Sequence, residues 1–391
     1  MSHAVLLIPT IDRIGGAERQ VMVLATGLRR RGWNVTVVAL AGKGGESATD
    51  LERNGIGFLS LEMRKGLIDP RGWLRLLGWL RRNKPDIVHA HLPHAAWMAR
   101  TLHLLAHAPV VLDTIHSAST GGRPRRFCYR LTRSLPEQVV AVSNAAAETH
   151  LRAAMVSPHR LTVIPNGVDT QAWRPDEQNR TALRRNLKLG SEFVWLAAAR
   201  LEPVKDYPSL LRAFRRLPRP ALLVIAGAGT QQQELELLAQ RIGVAPRVRF
   251  LGFVDDVRPW MQAADGFILT SRWEGLPMAV LEAGACELPA VATRVSGTSE
   301  AIEDEVTGLL AALGNYAELA EAMSRLMAMP REERRLMGVH ARQRVIERFS
   351  LELALDRHET LYRELLAAKT RTGCINGFLK GHDFSRAEKR A

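Results

Sequence analysis

LTVIPNGVDTQAWRPDEQNR, residues 161–180, closes one series of strand-like runs, and FVWLAAARL, residues 193–201, opens a second. Before residue 161 the apolar runs AVLLIPT, NVTVVAL, DIVHAH, VVLDTIHS and VVAVSN are separated by amphipathic stretches. After residue 193 the alternation returns as ALLVIAG, VRFLGFV, GFILTS, LPAVAT and TGLLAA. Short apolar runs alternating with helical patterns are the signature of parallel sheets built from β-α-β units. Two such series on either side of the polar, helix-poor QAWRPDEQNR predict an α/β protein of two doubly wound domains. The expected domains are 1–168 and 169–349, with a helix over about 350–368 returning to the first domain and a basic tail, 369–391, left disordered.

The composition agrees with that division and removes several function classes. A chain of 391 residues exceeds what one core reaches, roughly 250 to 300 residues. No apolar run approaches the roughly 20 residues that span a bilayer, and the N-terminus lacks a signal-peptide pattern, so the expected location is the cytoplasm, including the inner face of the cell membrane. Cys128, Cys286 and Cys374 are too far apart for a Cys-x-x-Cys site or a disulfide framework. The net charge of +14 calls for an anionic partner: nucleic acid, a phosphorylated substrate or an acidic membrane. Nucleic acid is the poorest fit, because aromatic residues that would stack on bases are only 6% of the chain.

Three stretches carry candidate chemistry. In PTIDRIGGAERQVM a strand passes through Gly15 and Gly16 into a helix, a turn that lets backbone amides approach a phosphate, though an unliganded turn reads the same way. In ARLEPVKDYPSLL, Arg200 and Lys205 stand at the carboxyl end of a strand, where ligands of doubly wound sheets gather. They suit a diphosphate, or they are two surface cations. In SRWEGLPMAVLEAGA, Glu274 lies in a loop, Gly275 and Leu276 offer free amides, and Pro277 is suited to the first position of a helix. Glu282 then falls roughly 7 to 8 Å along that helix. A carboxylate takes two hydroxyl hydrogens at once, so two of them at this spacing suit a ligand with hydroxyls at both ends and phosphates between, as in a sugar nucleotide.

With these pieces in order, joined by DIVHAH, TIHS, VVAVSNAAAETHL, VIPNGVD and VRFLGFVDDV, the chain resembles family 4 of the glycosyltransferases, the retaining group with the GT-B fold, over residues 4 to 350. That resemblance implies two Rossmann-like domains with a deep cleft, the first binding the acceptor and the second the nucleotide sugar. It implies Gly16, in the loop with Gly15, beside the donor phosphate and sugar, and His116 reaching the transferred sugar. It implies Arg200 and Lys205 on the departing diphosphate, Glu274 with the amides of Gly275 and Leu276 at the sugar, and Glu282 on the ribose. Ala199, Asp206 and Ala228 depart from residues frequent in the family.

The implied reaction moves a sugar from a UDP- or GDP-linked donor to a glycan or lipid-linked acceptor in cell-surface polysaccharide assembly, with retained configuration. No cofactor or metal is expected, since the chain has no Asp-x-Asp, and nothing completes a tetrahedral set around His89, His91 and His94 or around His103 and His107. A sugar-nucleotide 2-epimerase or phosphorylase of the same fold lacks this motif combination. A non-catalytic binding protein would not need it. The basic faces Arg71, Arg75, Arg82 and Arg126, Arg130, Arg133 point to an anionic membrane surface, or to ordinary solvated helix faces.

Overall fold

The structure is a computed structural model that describes residues 2–11, 15–64, 69–106 and 110–380, with backbone alone at 106 and 372–380. Strands β1 (His3–Thr10), β2 (Asn34–Ala41), β3 (Gly57–Ser60), β4 (Ile87–His91), β5 (Val110–Ile115), β6 (Gln138–Ala141) and β7 (Leu161–Val163) form one parallel sheet, ordered β3-β2-β1-β4-β5-β6-β7. A second parallel sheet is ordered β10-β9-β8-β11-β12-β13, from β8 (Phe193–Ala198), β9 (Ala221–Ala226), β10 (Val248–Gly252), β11 (Gly266–Leu269), β12 (Ala290–Thr293) and β13 (Gly308–Ala311).

Each sheet is buried on both faces, which is why its strands read as unbroken apolar runs rather than as alternating ones. In β1, Val5 and Leu7 join one core while Ala4, Leu6 and Ile8 join the core on the opposite face. In β8, Trp195 and Ala197 face one core, and Val194 and Leu196 the other.

The chain passes between the sheets twice at one place. Val168 N donates to Phe349 O at 2.8 Å and Leu351 N donates to Val168 O at 2.9 Å, so the two crossings lie side by side. A Cβ at Gly167 would sit 2.5 Å from Leu351 Cα, a distance only glycine permits. The helix Leu351–Lys380 then returns along the first domain, where Trp33 Nε1 donates to Glu359 Oε1 at 2.7 Å and Arg31 pairs with Asp356 at 2.6 Å.

Four details differ from the sequence reading. The segment 171–180 is not helix-poor throughout: Asp176 accepts from Asn179 N at 2.9 Å and starts the helix Glu177–Asn186. The short edge strand β3 does not stand out in the sequence. Pro277 precedes its helix, Met278–Ala285, with extended backbone at ψ 94°. The last helix runs through Lys369, where disorder was expected, and Lys369 Nζ pairs with Glu137 of the first domain at 2.6 Å. Residues 381–391 lie outside the described residues, as do Ile14 and His107.

Candidate active site

The carboxyl ends of the two sheets enclose a cavity of about 370 Å³. Every candidate residue named from the sequence lines it: Gly15, Gly16 and His116 from the first domain, and Arg200, Lys205, Glu274, Gly275, Leu276 and Glu282 from the second. A wider groove of about 570 Å³ runs along Arg123, Arg126 and Arg130, but it lies on one helix and gathers neither acid nor base.

On the first-domain side, Gly15 precedes the helix Gly16–Arg30, and Glu18 accepts from the Gly15 amide at 3.2 Å. The next free amides open on the cavity at the positive end of the helix dipole. His116 follows β5 directly, and its Nε2 lies 3.1 Å from His91 Nδ1. Burial, with a smaller contribution from His358, pushes the His116 imidazole down to about 4, so it is neutral at physiological pH. Among the described residues, the buried His116 Nδ1 has no hydrogen-bond partner.

On the opposite wall, the loop after β8 carries Arg200 and ends in the turn Pro203–Lys205. Asp206 follows at φ 48°, which explains why glycine suits this position and why aspartate, tolerant of left-handed backbone, is accepted. Lys205 O accepts from Thr270 Oγ1 at 2.7 Å, fixing the loop to the end of β11. Lys205 Nζ contacts Glu274 Oε1 at 2.5 Å, and Ser271 Oγ donates to the same oxygen at 2.6 Å. Arg200 is exposed, and among the described residues its side chain makes no ion pair. The cations read from sequence as one clamp are therefore unlike: Lys205 is held by a carboxylate, and Arg200 is open to the cavity.

Gly275 brings the walls together. A Cβ there would lie 2.4 Å from His116 O, so any other residue would push the two domains apart. Glu282 is the fifth residue of Met278–Ala285, and burial raises its carboxyl to about 7 against the opposing charge of Arg19. Its side chain is aimed at the cavity, where hydroxyl hydrogens would replace lost water.

Sequence reasoning missed Ser271, Arg19, Gln20 and Asn166, and weighed His91 with its neighbours for a metal site. Ser271 and Asn166 stand in SRWEG and VIPNGVD, and their spacing to Glu274 and Gly167 was the available signal. Among the described residues no group of three or more His, Cys, Asp or Glu is arranged to hold a metal ion. His89 instead meets Tyr362 Oη at 2.6 Å and Thr114 Oγ1 at 2.7 Å, and His103 lies 3.6 Å from Glu137.

Residues 14–172 match the family described as Glycosyltransferase Family 4, and residues 179–344 match Glycosyl transferases group 1. The chain is 31% identical over 314 residues to a D-inositol 3-phosphate glycosyltransferase of Saccharomonospora viridis, covering 72% of this chain and 71% of the relative. It is 25% identical over 320 residues to the UDP-Gal:alpha-D-GlcNAc-diphosphoundecaprenol alpha-1,3-galactosyltransferase of Escherichia coli, covering 77% and 81%. Among solved structures it is similar in fold to Anabaena Alr3699/HepE in complex with UDP and glucose, with a TM-score of 0.83 at 23% identity over 92% of this chain and 99% of that one.

Proposed function

Since the chain belongs to the group 1, family 4 glycosyltransferases, we propose that it moves a hexose from a UDP- or GDP-linked donor to a hydroxyl of a glycan or lipid-linked acceptor in cell-surface polysaccharide assembly, with retained anomeric configuration and without a metal ion. The observation that carries this reading is the set of groups one cavity gathers: the buried Glu282, the open cation Arg200, the Lys205–Glu274 pair and neutral His116. A nucleoside diphosphate sugar has the matching groups: diol, diphosphate and sugar hydroxyls.

In this arrangement Glu282 accepts from the ribose hydroxyls. Arg200, Lys205 and the amides at Gly16 hold the diphosphate, stabilising the charge that develops as it leaves. The bond from the anomeric carbon to the phosphate oxygen breaks, and the acceptor oxygen forms its bond on the face just vacated. The acceptor proton passes to the departing phosphate oxygen. Glu274 acts as a positioning group and not as a covalent nucleophile, because Oε1 already takes hydrogen bonds from Lys205 and Ser271. The side-chain cations Arg200 and Lys205, able to neutralise a diphosphate without a divalent ion, support the metal-independent reading.

A membrane-borne acceptor is favoured by a separate observation. Among the described residues of the first domain, the exposed large apolar side chains are Leu74, Leu104, Leu105, Phe127 and Leu131, all on three neighbouring helices, Pro70–Asn83, Pro93–Ala106 and Arg123–Thr132. Arginines surround them. No helix among the described residues is long and apolar enough to cross a membrane, so this face would dock on the surface of the cytoplasmic leaflet. The reaction is tested by NMR of the first-formed product after turnover of UDP- and GDP-hexoses with excess chelator present. An inverted anomer, or activity that chelator abolishes and magnesium or manganese restores, overturns the mechanism.

A further inference from the structure

Arg19 stands in the first turn of the helix Gly16–Arg30, where a cation meets the positive end of the helix dipole and so works against the helix. Side chains on a helix lean toward its N-terminus, which carries Arg19 toward the Gly15–Gly16 turn. Arg19 is exposed and lines the donor cavity. Among the described residues its guanidinium makes no ion pair and no hydrogen bond, and the neighbouring Glu18 is taken by the Gly15 amide. An arginine so placed contributes nothing visible to the fold.

Its charge is felt across the cleft. Burial raises the Glu282 carboxyl to about 7, and the charge of Arg19 opposes that rise from the other domain. Asp256 is held below the usual carboxylate range chiefly by its hydrogen bonds to Arg258, and Arg19 adds a smaller part. Neither carboxyl forms a pair with Arg19. Asp256 is occupied by Arg258, with Oδ1 2.8 Å from Nε and Oδ2 2.7 Å from Nη2, and Glu282 is only partly ionised at neutral pH.

Among the described residues the charged side chains lining the cavity are Arg19, Arg200, Lys205, Glu274 and Glu282. Lys205 and Glu274 offset one another at 2.5 Å. What remains is one open guanidinium on each wall, Arg200 from the second domain and Arg19 from the first. A sugar nucleotide carries one negative charge on each of its phosphates, and a guanidinium meets phosphate oxygens with paired N–H donors. Glu282 is read at the ribose and feels Arg19, so the phosphate beside the ribose is the one that Arg19 is placed to meet. We infer that Arg19 is a donor-binding residue, reaching across the cleft to the ribose-side phosphate of the nucleotide sugar while Arg200 serves the outer phosphate, where charge develops. This rests on the reading of the cavity as a nucleotide-sugar site with Glu282 at the ribose. The ribose-side phosphate lies away from the breaking bond, so its charge changes little during transfer and Arg19 holds the donor rather than the transition state.

Calorimetry of the whole protein with UDP and GDP, and then with the monophosphate of the base that binds more tightly, tests the inference. Arg19→Gln should weaken the diphosphate and the monophosphate alike by about tenfold or more, the loss for a hydrogen bond to a charged group. Arg19→Lys, which keeps the charge without the fork, should recover part of it. In turnover the loss should appear mainly in donor KM, with kcat lowered by less than about threefold, the pattern for binding that is the same in ground and transition states. The thermal midpoint should not fall, because Arg19 opposes the helix dipole and holds no partner, so lost affinity is not lost fold. Wild-type diphosphate affinity in Arg19→Gln overturns the inference. So does a loss confined to the diphosphate, which puts Arg19 on the outer phosphate, or a loss in kcat with donor KM unchanged. A wild-type protein that binds neither diphosphate overturns the reading of the cavity and the inference with it, a result distinct from wild-type binding that Arg19→Gln leaves unaltered.

Discussion

The two walls of the cleft differ in how many charges they carry. The second-domain wall is charged and built from short loops: Arg200 and Lys205 stand five positions from one another, and Glu274 and Glu282 are eight apart. Among the described residues the first-domain lining has Arg19 as its charged side chain, and His116 is backed, outside the cleft, by His89, His91 and His358, imidazoles kept uncharged by burial. A departing diphosphate needs positive charge on one side. On the other, the transferred sugar needs oriented donors that do not compete for that charge.

The largest effect should follow from removing the open cation. Arg200→Ala is expected to lower kcat by roughly a hundred- to a thousandfold, the loss typical when one preorganised donor to a developing anion is removed. Its thermal midpoint should stay near wild type, since the structure pairs Arg200 with no carboxylate. Glu274→Gln sharpens the contrast within this wall. It should lower kcat as well, yet bind free UDP or GDP no more weakly than wild type, because Lys205 is then released from its carboxylate. Calorimetry showing equal loss of diphosphate affinity in both variants would erase the distinction between an open and a held cation.

The walls should also respond to pH with opposite signs. For His116 and His358 the folded value of about 4 lies below the unfolded one near 6.5, so the native state is favoured above that range and loses stability as pH falls. Each shift of that size is worth about 3 kcal/mol, lost as pH falls from roughly 6.5 toward 4. Glu282 runs the other way: its folded value of about 7 exceeds the unfolded 4.5, so its contribution is present below pH 4.5 and vanishes as pH rises through 7. Urea unfolding from pH 4 to 8 should therefore show a steep acid loss in wild type. Glu282→Gln should gain stability over wild type at pH 8 and keep the acid loss unchanged. Identical profiles for the two proteins would mean that Glu282 is not buried as a lone carboxyl.

Glu282 should matter to the ligand by a smaller margin. Its replacement by alanine is expected to weaken the preferred nucleoside diphosphate by about 1.5 to 3 kcal/mol, the range for a hydrogen bond to a charged group. Titration calorimetry that finds unchanged affinity removes it from the ribose.

This contrast explains what could be read from sequence. The charged wall was legible because its residues are close in the chain and each motif sits on a single strand-loop-helix unit, as SRWEGLPMAVLEAGA does. The alternation of apolar runs likewise revealed both sheets, missing only β3, a four-residue edge strand whose side chains are half-buried. The clustering of imidazoles behind His116 was not legible. His91 and His116 are brought together by strand register, and His358 arrives from a helix that first crosses to the other domain. Nor did spacing reveal that Lys205 is tied to Glu274, since the contact joins two separate loops.

The smallest effect expected is at the face proposed to dock on a membrane, where each contact would be weak and many would act together. Phe127 and Leu131 are 67% and 71% exposed on one helix, four residues apart and so on one side of it, with Arg126, Arg130 and Arg133 beside them. Arg130 also donates to Ala153 O at 2.9 Å, so its replacement would alter the fold locally, and Arg126 is the cleaner probe. A basic residue at an anionic surface contributes about 1 kcal/mol, which predicts a fivefold or so weaker partition of Arg126→Gln onto vesicles containing anionic lipid. That difference should shrink as salt approaches physiological strength, where charges are screened over roughly 8 Å. Phe127→Ser should behave otherwise, weakening binding by an amount that salt does not remove, because burial of an apolar ring is not a Coulombic effect. Neither Arg126 nor Phe127 lines the candidate donor cavity, so kcat with a water-soluble acceptor should match wild type. Sedimentation with anionic and neutral vesicles at low and high salt separates the two contributions. Equal pelleting of wild type and both variants would show that this face only meets water, and would leave the chemistry of the charged wall as it stands.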